Sequence, residues 1–224
     1  MGLLSNAAAI LGKEVRTEFR SRELLSTTIV FVLIVVVLFS FTFEPTSNES
    51  RRFGPGLLWL AFLFAASLML QPCFLREHVN DTLSALRLAA SDPFAIFLAK
   101  IGANTLFLLL TELIMLPVFA VLFNVHYRSQ LPALLLTFFL GSLGVATAGT
   151  ALAAISTQAK MRELLLPVLL LPVLAPILIA STEVTVSLMA PHPFMEWKGI
   201  GFLAVFDVVF LTALWLFGEY LLEE

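Results

Sequence analysis

The amino-acid sequence predicts an all-α integral membrane protein with six transmembrane helices. Of its 224 residues, 59% are hydrophobic and 13% are charged, whereas an average soluble domain is about 45–50% apolar and about 25% charged. Six long apolar segments each reach the ~20 residues that a helix needs to cross a bilayer. The composition excludes a soluble enzyme and a disordered chain, and the single cysteine excludes a disulfide scaffold. The net charge of −3 gives no indication of nucleic-acid binding.

The apolar segments follow one another with short connections, so we predict a single domain over residues 1–224. The segments are apolar throughout, which excludes the period-two alternation of an outer-membrane barrel. The predicted spans are residues 24–43, 55–75, 101–123, 131–155, 164–190 and 202–222.

Lysine and arginine are distributed unevenly between the two sides that these spans define. Nine of the 13 fall in the N-terminal segment and in the connections after the second and fourth spans. An excess of basic residues in short loops marks the cytoplasmic side of a membrane protein. We therefore expect both termini to be cytoplasmic.

The first 23 residues predict an amphipathic helix that lies in the membrane interface. Apolar residues recur at spacings of three and four, and the basic residues lie mostly off that stripe. The helix either anchors the chain before the first span or serves as an elbow that also contacts a cytoplasmic partner. The apolar stripe consists of Leu4, Ala8, Leu11, Val15 and Phe19.

A polar interval of 17 residues, Arg76–Asp92, separates the second and third spans. Leu83 and Leu86 have helical spacing within it, and Asp92 followed by Pro93 is typical of a helix start. A connection that only turns the chain needs about 2–8 residues. We therefore predict that the polar interval carries a short helix that contacts another molecule.

Glu112 and Asp207 are acidic residues within predicted spans. A charged acid at the bilayer centre costs about 2.5–3.5 kcal/mol on insertion scales, so such residues face the bundle interior, a cavity or a partner. The alternative is a neutral, hydrogen-bonded packing role. Glu112 is the deeper of the two, because Asp207 is only five residues into its predicted span.

Two further features leave alternatives open. Small residues four apart in the fourth span, such as Gly144 and Ala148, serve either packing within the bundle or a seam between subunits. Pro167, Pro172 and Pro176 in the fifth span either bend the helix or form a hinge.

No catalytic motif is present in the sequence. It lacks the phosphate-binding loop G-x-x-x-x-G-K-[ST], the zinc motif H-E-x-x-H and the nucleophile motif G-x-S-x-G, so we expect no enzymatic activity. His126 and His192 lie in outer connections and are either surface residues or axial ligands of a heme iron.

Three short motifs and a set of single residues occur in a fixed order along the chain. Residues 19–23 (FRSRE) precede the first span, residues 53–59 (FGPGLLW) open the second, and residues 170–177 (LLPVLAPI) lie in the fifth. Between the second and third motifs lie, in order, Glu77, Thr82, Leu83, Leu86, Pro93, Lys100, Asn104 and Glu112. This order resembles that of the heme exporter protein B family, also called cytochrome c maturation protein B.

The resemblance implies a permease subunit of an ABC-2-like exporter in the bacterial inner membrane, acting in c-type cytochrome biogenesis. It implies a homodimer that works with a separate ATPase, cytochrome c maturation protein A, and with maturation proteins C, D and E. ATP would bind the partner subunit, and the complex rather than this chain would handle heme. The polar interval would be the ATPase-coupling helix, with Glu77, Asp81, Leu83, Leu86 and Arg87 as its contact residues.

Two other functions fit the residues without the resemblance. A stand-alone secondary transporter or channel would use Glu112 as its deep ion-coupling residue. A non-translocating assembly scaffold would need neither Glu112 nor Asp207.

Overall fold

A computed structural model describes residues 2–42, 48–79, 92–125, 130–156, 162–190 and 192–222. Within these ranges the chain forms eight α-helices and no β-strand. The helices are α1 (Leu3–Ser21), α2 (Glu23–Thr42), α3 (Asn48–Leu70), α4 (Pro72–Val79), α5 (Pro93–Leu122), α6 (Leu131–Ser156), α7 (Arg162–Leu188) and α8 (Trp197–Leu222).

Six helical segments of the described chain are long and apolar enough to cross a membrane, which confirms the all-α, six-span prediction. Three of them begin at least five residues earlier than the apolar runs indicated. Helix α3 begins at Asn48 rather than at residue 55, α5 at Pro93 rather than at residue 101, and α8 at Trp197 rather than at residue 202. Hydropathy marks only the apolar part of a helix, whereas backbone hydrogen bonding continues into its polar flanks.

The start of α5 is capped as the local sequence predicted. The Phe94 backbone N–H donates to Asp92 Oδ1 at 2.9 Å, and Pro93 occupies the first turn. The Asp92 side chain therefore satisfies one of the unpaired N–H groups at the helix start. This cap places Lys100 two turns into α5.

Helix α6 lies at the centre of the bundle and contacts α3, α4, α5, α7 and α8. Its glycines permit the close approach of these neighbours. A Cβ atom placed on Gly144 would lie 2.7 Å from Asp207 Oδ1, and one placed on Gly149 would lie 2.3 Å from a methyl carbon of Leu70. The small residues of this span therefore serve packing within the chain, one of the two alternatives.

Helix α1 packs along α5, but its buried face differs from the predicted apolar stripe. Ala7, Ile10 and Glu18 are buried, whereas Leu4 and Phe19 are 74% and 51% exposed. The helix thus turns a partly polar face toward the bundle. Its outermost apolar side chains remain available to lipid, as an interfacial helix requires.

A sharp turn joins α1 to α2 at Arg22, which has the left-handed backbone angle φ = 56°. The Arg22 backbone N–H donates to the Glu18 carbonyl oxygen, which ends α1. The Glu18 side chain then accepts the backbone N–H of Leu25 at 2.9 Å, in the first turn of α2. One glutamate therefore fixes the angle between the interfacial helix and the first span.

The N-terminal helix and the C-terminal part of α8 lie at the same end of the bundle. Leu11 of α1 lies against Gly102 of α5, and Gly218 of α8 lies against Phe97 of α5. An even number of spans requires this arrangement. We refer to it as the α1 end of the bundle; that it faces the cytoplasm remains the prediction made from the basic residues.

Candidate functional site

Glu112, an acidic residue within the spanning helix α5, is 1% exposed. Ser142 Oγ of α6 donates to its Oε1 at 2.7 Å. Among the residues that the structure describes, Glu112 Oε2 has no hydrogen-bond partner. The carboxyl group lines a cavity of about 10 Å³ together with Trp59 and Leu178, a volume close to what one water molecule needs.

Trp59 of α3 extends the polar groups around this cavity toward α7. Its indole Nε1–H donates to Thr185 Oγ1 at 2.9 Å, and Thr185 in turn donates to the Ser181 carbonyl oxygen. The ring packs edge-on against Phe62 and Phe138 at centroid distances of 6.0 and 5.6 Å. Hydrogen bonds and ring packing together hold Trp59 in one orientation beside the acid.

Asp207 of α8 is 4% exposed and lies against Gly144 of α6. Sequence reasoning placed it near the membrane interface, because the apolar run begins at residue 202. Helix α8 begins five residues earlier, so Asp207 lies in its third turn. Its carboxyl group is buried because the side chain packs against α6 at Gly144. Its Oδ2 has no hydrogen-bond partner within the described residues.

Glu112 and Asp207 do not form a carboxyl pair. Ser142 contacts the first and Gly144 adjoins the second. These positions are two residues apart on α6, about 200° around a helix with 3.6 residues per turn. The two acids therefore approach α6 from opposite sides. A reaction that needs two adjacent carboxyl groups is not possible with this geometry, whereas each acid can hold a proton or a water molecule separately.

A second polar group, which we call the polar joint, lies at the α1 end of the bundle. It comprises Glu14, Cys73, Lys100, Asn104 and Thr150. Lys100 of α5 is only 2% exposed, and its ammonium group lies 3.5 Å from Glu14 Oε1 of α1. The same ammonium group donates to the Cys73 carbonyl oxygen in α4. One buried cation therefore connects three helices.

Asn104 lies one turn beyond Lys100 and extends the polar joint to α6. Its amide Nδ2 donates to Cys73 Sγ at 3.4 Å and to Thr150 Oγ1 at 3.2 Å. A cavity of about 30 Å³ adjoins the joint and is lined by Glu14, Glu18 and Lys100 among others. A buried lysine is costly unless it is paired and hydrogen-bonded. These contacts meet both conditions.

The three prolines of the fifth span lie within one continuous helix, α7. Pro172 and Pro176 are exposed on the outer side of the bundle, whereas Pro167 is half-buried. Pro167 lines an apolar cavity of about 120 Å³ between α3 and α7, opposite Leu63 and Ser67. The choice between bend and hinge remains a prediction.

Other predicted site residues are only partly described. Glu77 lies in α4, near the start of the polar interval. His192 is exposed in the connection between α7 and α8, and the described residues contain no group of three or more His, Cys, Asp or Glu side chains that could hold a metal ion. The predicted site residues outside the described ranges are Asp81, Leu83, Leu86, Arg87 and His126.

Sequence reasoning missed the polar joint as a site. In the sequence, Lys100 was one of the nine basic residues that indicate the orientation. Lys100 and Asn104 were otherwise noted only among the residues that carry the family resemblance. Their spacing of four places them on one helix face, which is the only local signal of a shared role. The partners Glu14, Cys73 and Thr150 lie in other helices and have no detectable pattern with them in the sequence.

Known proteins resemble this chain over most of its length. A family model described as CcmB protein matches residues 5–217. A protein of Pseudomonas aeruginosa described as heme exporter protein B is 33% identical over 170 residues, which cover 76% of each chain. The protein of the same description from Rhodobacter capsulatus is 31% identical over 176 residues, 79% of this chain and 80% of that protein. The chain belongs to the CcmB protein family.

Proposed function

We propose that this chain is the membrane-spanning permease subunit of an ABC transporter complex for c-type cytochrome biogenesis. ATP hydrolysis by a separate subunit would be coupled to heme export or to release of a heme-loaded chaperone. The proposal includes a second copy of the chain, the ATPase known as cytochrome c maturation protein A, and maturation proteins C, D and E. Heme is the cargo of the complex and is not assigned a ligand in this chain.

Three features support the proposal. The chain belongs to a family whose curated members are described as heme exporter protein B. Six helices are able to cross the membrane, as a permease requires. The sequence lacks a phosphate-binding loop, so energy from ATP must come through contact with another subunit.

The observation that carries the proposal is how the flanks of the polar interval Arg76–Asp92 are held. Its N-terminal part belongs to α4, and Lys100 binds the Cys73 carbonyl oxygen in the first turn of that helix. Its C-terminal residue, Asp92, caps α5. Both flanks are thus attached to α5, which runs on to Glu112. A displacement of the polar interval by the ATPase would therefore move α4 and α5 as rigid bodies.

The test is a pair of substitutions within the polar interval. Replacing both Leu83 and Leu86 by Asp removes the predicted apolar anchors without placing a charge in a predicted span. Ser84→Asp is the matched control, because it adds a charge to the same interval and keeps both leucines. Complexes would be purified from detergent-solubilised membranes by a tag on this chain, and their subunits identified by mass spectrometry.

The double variant should remain in the membrane and lose the ATPase, whereas Ser84→Asp should retain it. Mature c-type cytochromes should fall and heme-loaded chaperone should accumulate, since the step that consumes it has stopped. An ATPase that stays bound with normal cytochromes would refute the coupling role. Full activity of this chain alone in proteoliposomes would favour the secondary transporter instead.

A further inference from the structure

The side chain of Lys100 is charged, almost wholly buried and shared between α1, α4 and α5. Its contacts include the Glu14 carboxylate at 3.5 Å, the Cys73 carbonyl oxygen and the Phe74 ring, whose centroid lies 4.8 Å from Nζ. Glu14 belongs to α1, and Cys73 and Phe74 belong to α4. A cation that is 2% exposed and bound on several sides restrains every helix it contacts.

Helix α4 is not a regular continuation of α3. Gln71 interrupts the helix between Leu70 and Pro72. Its own N–H still donates to the Ser67 carbonyl oxygen at 3.2 Å, but Pro72 has no backbone N–H to continue the hydrogen-bond ladder. The orientation of α4 therefore depends also on its side contacts. Phe74 packs against Phe97 of α5 at a centroid distance of 5.6 Å, and Lys100 holds the adjacent carbonyl.

We propose that Lys100 is a positioning residue that makes α1, α4 and the start of α5 move as one unit. The proposal deepens the proposed function and rests on it, since α4 leads into the polar interval assigned to ATPase coupling. Through Lys100, displacement of α4 reaches α5 directly and α1 through Glu14. The interfacial helix thereby becomes part of the transmission and is more than an anchor.

The chain supplies a matched pair of lysines for the test. Lys13 also pairs with Glu14 Oε1, at 3.1 Å, but its side chain is 52% exposed. Exposed ion pairs contribute little. Lys100→Met and Lys13→Met therefore remove the same type of charge from the same carboxylate, one from inside the joint and one from its surface. Lys100→Arg keeps a donor, and the adjoining cavity of about 30 Å³ gives room for the larger group.

The single cysteine of the chain lies within the joint and serves as its reporter. Cys73 is half-buried, and Asn104 donates to its sulfur. The rate of maleimide labelling of Cys73 in membranes containing the intact complex therefore measures how firmly the joint is closed. Two further readouts are the amount of ATPase that co-purifies and the yield of mature c-type cytochrome per bound ATPase.

Lys100→Met should retain the ATPase, since the docking residues are untouched. It should label at Cys73 about fivefold faster or more, the factor that loss of a modest buried interaction produces. Cytochrome yield per bound ATPase should fall at least about fivefold, at the lower end of typical coupling between sites. Lys13→Met should match the unmodified protein in all three readouts, and Lys100→Arg should restore most of the yield.

Normal cytochrome yield per bound ATPase in Lys100→Met would overturn the proposal. So would loss of the ATPase in the same proportion as cytochromes, because that pattern indicates a folding or docking role. If Lys100→Met does not accumulate, Glu14→Gln provides the decision. It removes the charge that pairs with both Lys100 and Lys13, and Lys13→Met controls for the exposed pair. A normal yield in Glu14→Gln also overturns the proposal. A different result would refute the proposed function itself: the variant with Asp at both Leu83 and Leu86 would keep its ATPase and make normal cytochromes.

Discussion

Replacing Glu112 by Leu distinguishes the effect of this buried acid on stability from its effect on function. The structure gives this carboxyl group one hydrogen bond, from Ser142 Oγ at 2.7 Å, and leaves Oε2 without a partner among the described residues. Leu has a similar volume and no polar atom. We expect the variant to be more stable than the unmodified protein and less active in cytochrome maturation.

The sign of the stability change follows from two opposing contributions. The lost hydrogen bond is worth about 0.6 kcal/mol on average in a membrane bundle. Removing a buried oxygen to which no described residue donates recovers about 1–3 kcal/mol. Ser142 also loses its acceptor, but a helical hydroxyl can donate to a carbonyl in the preceding turn, as Thr147 does at 2.7 Å. The net stabilisation is therefore roughly 0.5–2 kcal/mol.

The assay combines two measurements on the same variants. Unfolding of the purified protein in detergent by increasing SDS gives the difference in stability, and heme staining of c-type cytochromes in cells that carry only the variant gives activity. Glu112→Gln keeps an acceptor for Ser142 and removes only the ionisable group, so it should lose activity at nearly unchanged stability. Glu219→Gln is the control, because Glu219 is exposed near the end of α8, and it should change neither quantity.

Two results would refute this reasoning in different ways. A less stable Glu112→Leu variant would mean that the second carboxyl oxygen has a partner and that the acid holds the bundle together. Normal cytochrome levels in both Glu112 variants would make the residue a packing acid without a part in the function.

Two further predictions concern topology and packing. In a background without the native cysteine, Ser47→Cys should react with an impermeant thiol reagent in intact cells, and Ser84→Cys should not. Labelling of Ser84→Cys from outside would contradict the predicted topology. Gly141→Ala should destabilise the bundle by about 1–3 kcal/mol, because the new Cβ would lie 2.3 Å from the hydrogen-bonded Trp59 ring. Gly201→Ala, which meets nothing within 4 Å, should be neutral or stabilising by up to about 1 kcal/mol; equal effects in SDS unfolding would contradict the assigned packing.

The spans and their number could be predicted from sequence because the bilayer imposes a simple length rule. Every backbone polar group must be satisfied within its own segment, so an apolar run of ~20 residues becomes a helix whatever its neighbours are. The start of α5 was equally local, since Asp92 and Pro93 cap it through contacts two residues apart. The amphipathic character of α1 was also visible, but the face it turns to the bundle was not.

Which helix faces which neighbour was decided only by the tertiary structure. In a membrane bundle most helices are apolar on all faces. The periodicity of apolar residues therefore does not distinguish a face toward lipid from a face toward protein. Asp207 and Ile177 both lie beside Gly144 of α6, and this contact between α6, α7 and α8 has no signal in the sequence.

The sequence alone thus determined six spanning helices, the capped start of α5 and the family resemblance, because each depends on composition or on neighbouring residues. The polar joint was decided by tertiary structure, because Lys100 meets Glu14 and Cys73 only when three separate helices converge. The same holds for Glu112. Its position within a span could be predicted from the sequence, but the hydrogen bond that it accepts from Ser142 could not. Long-range polar contacts within an apolar bundle depend on how the helices rotate about their axes, and hydropathy contains no information about that rotation.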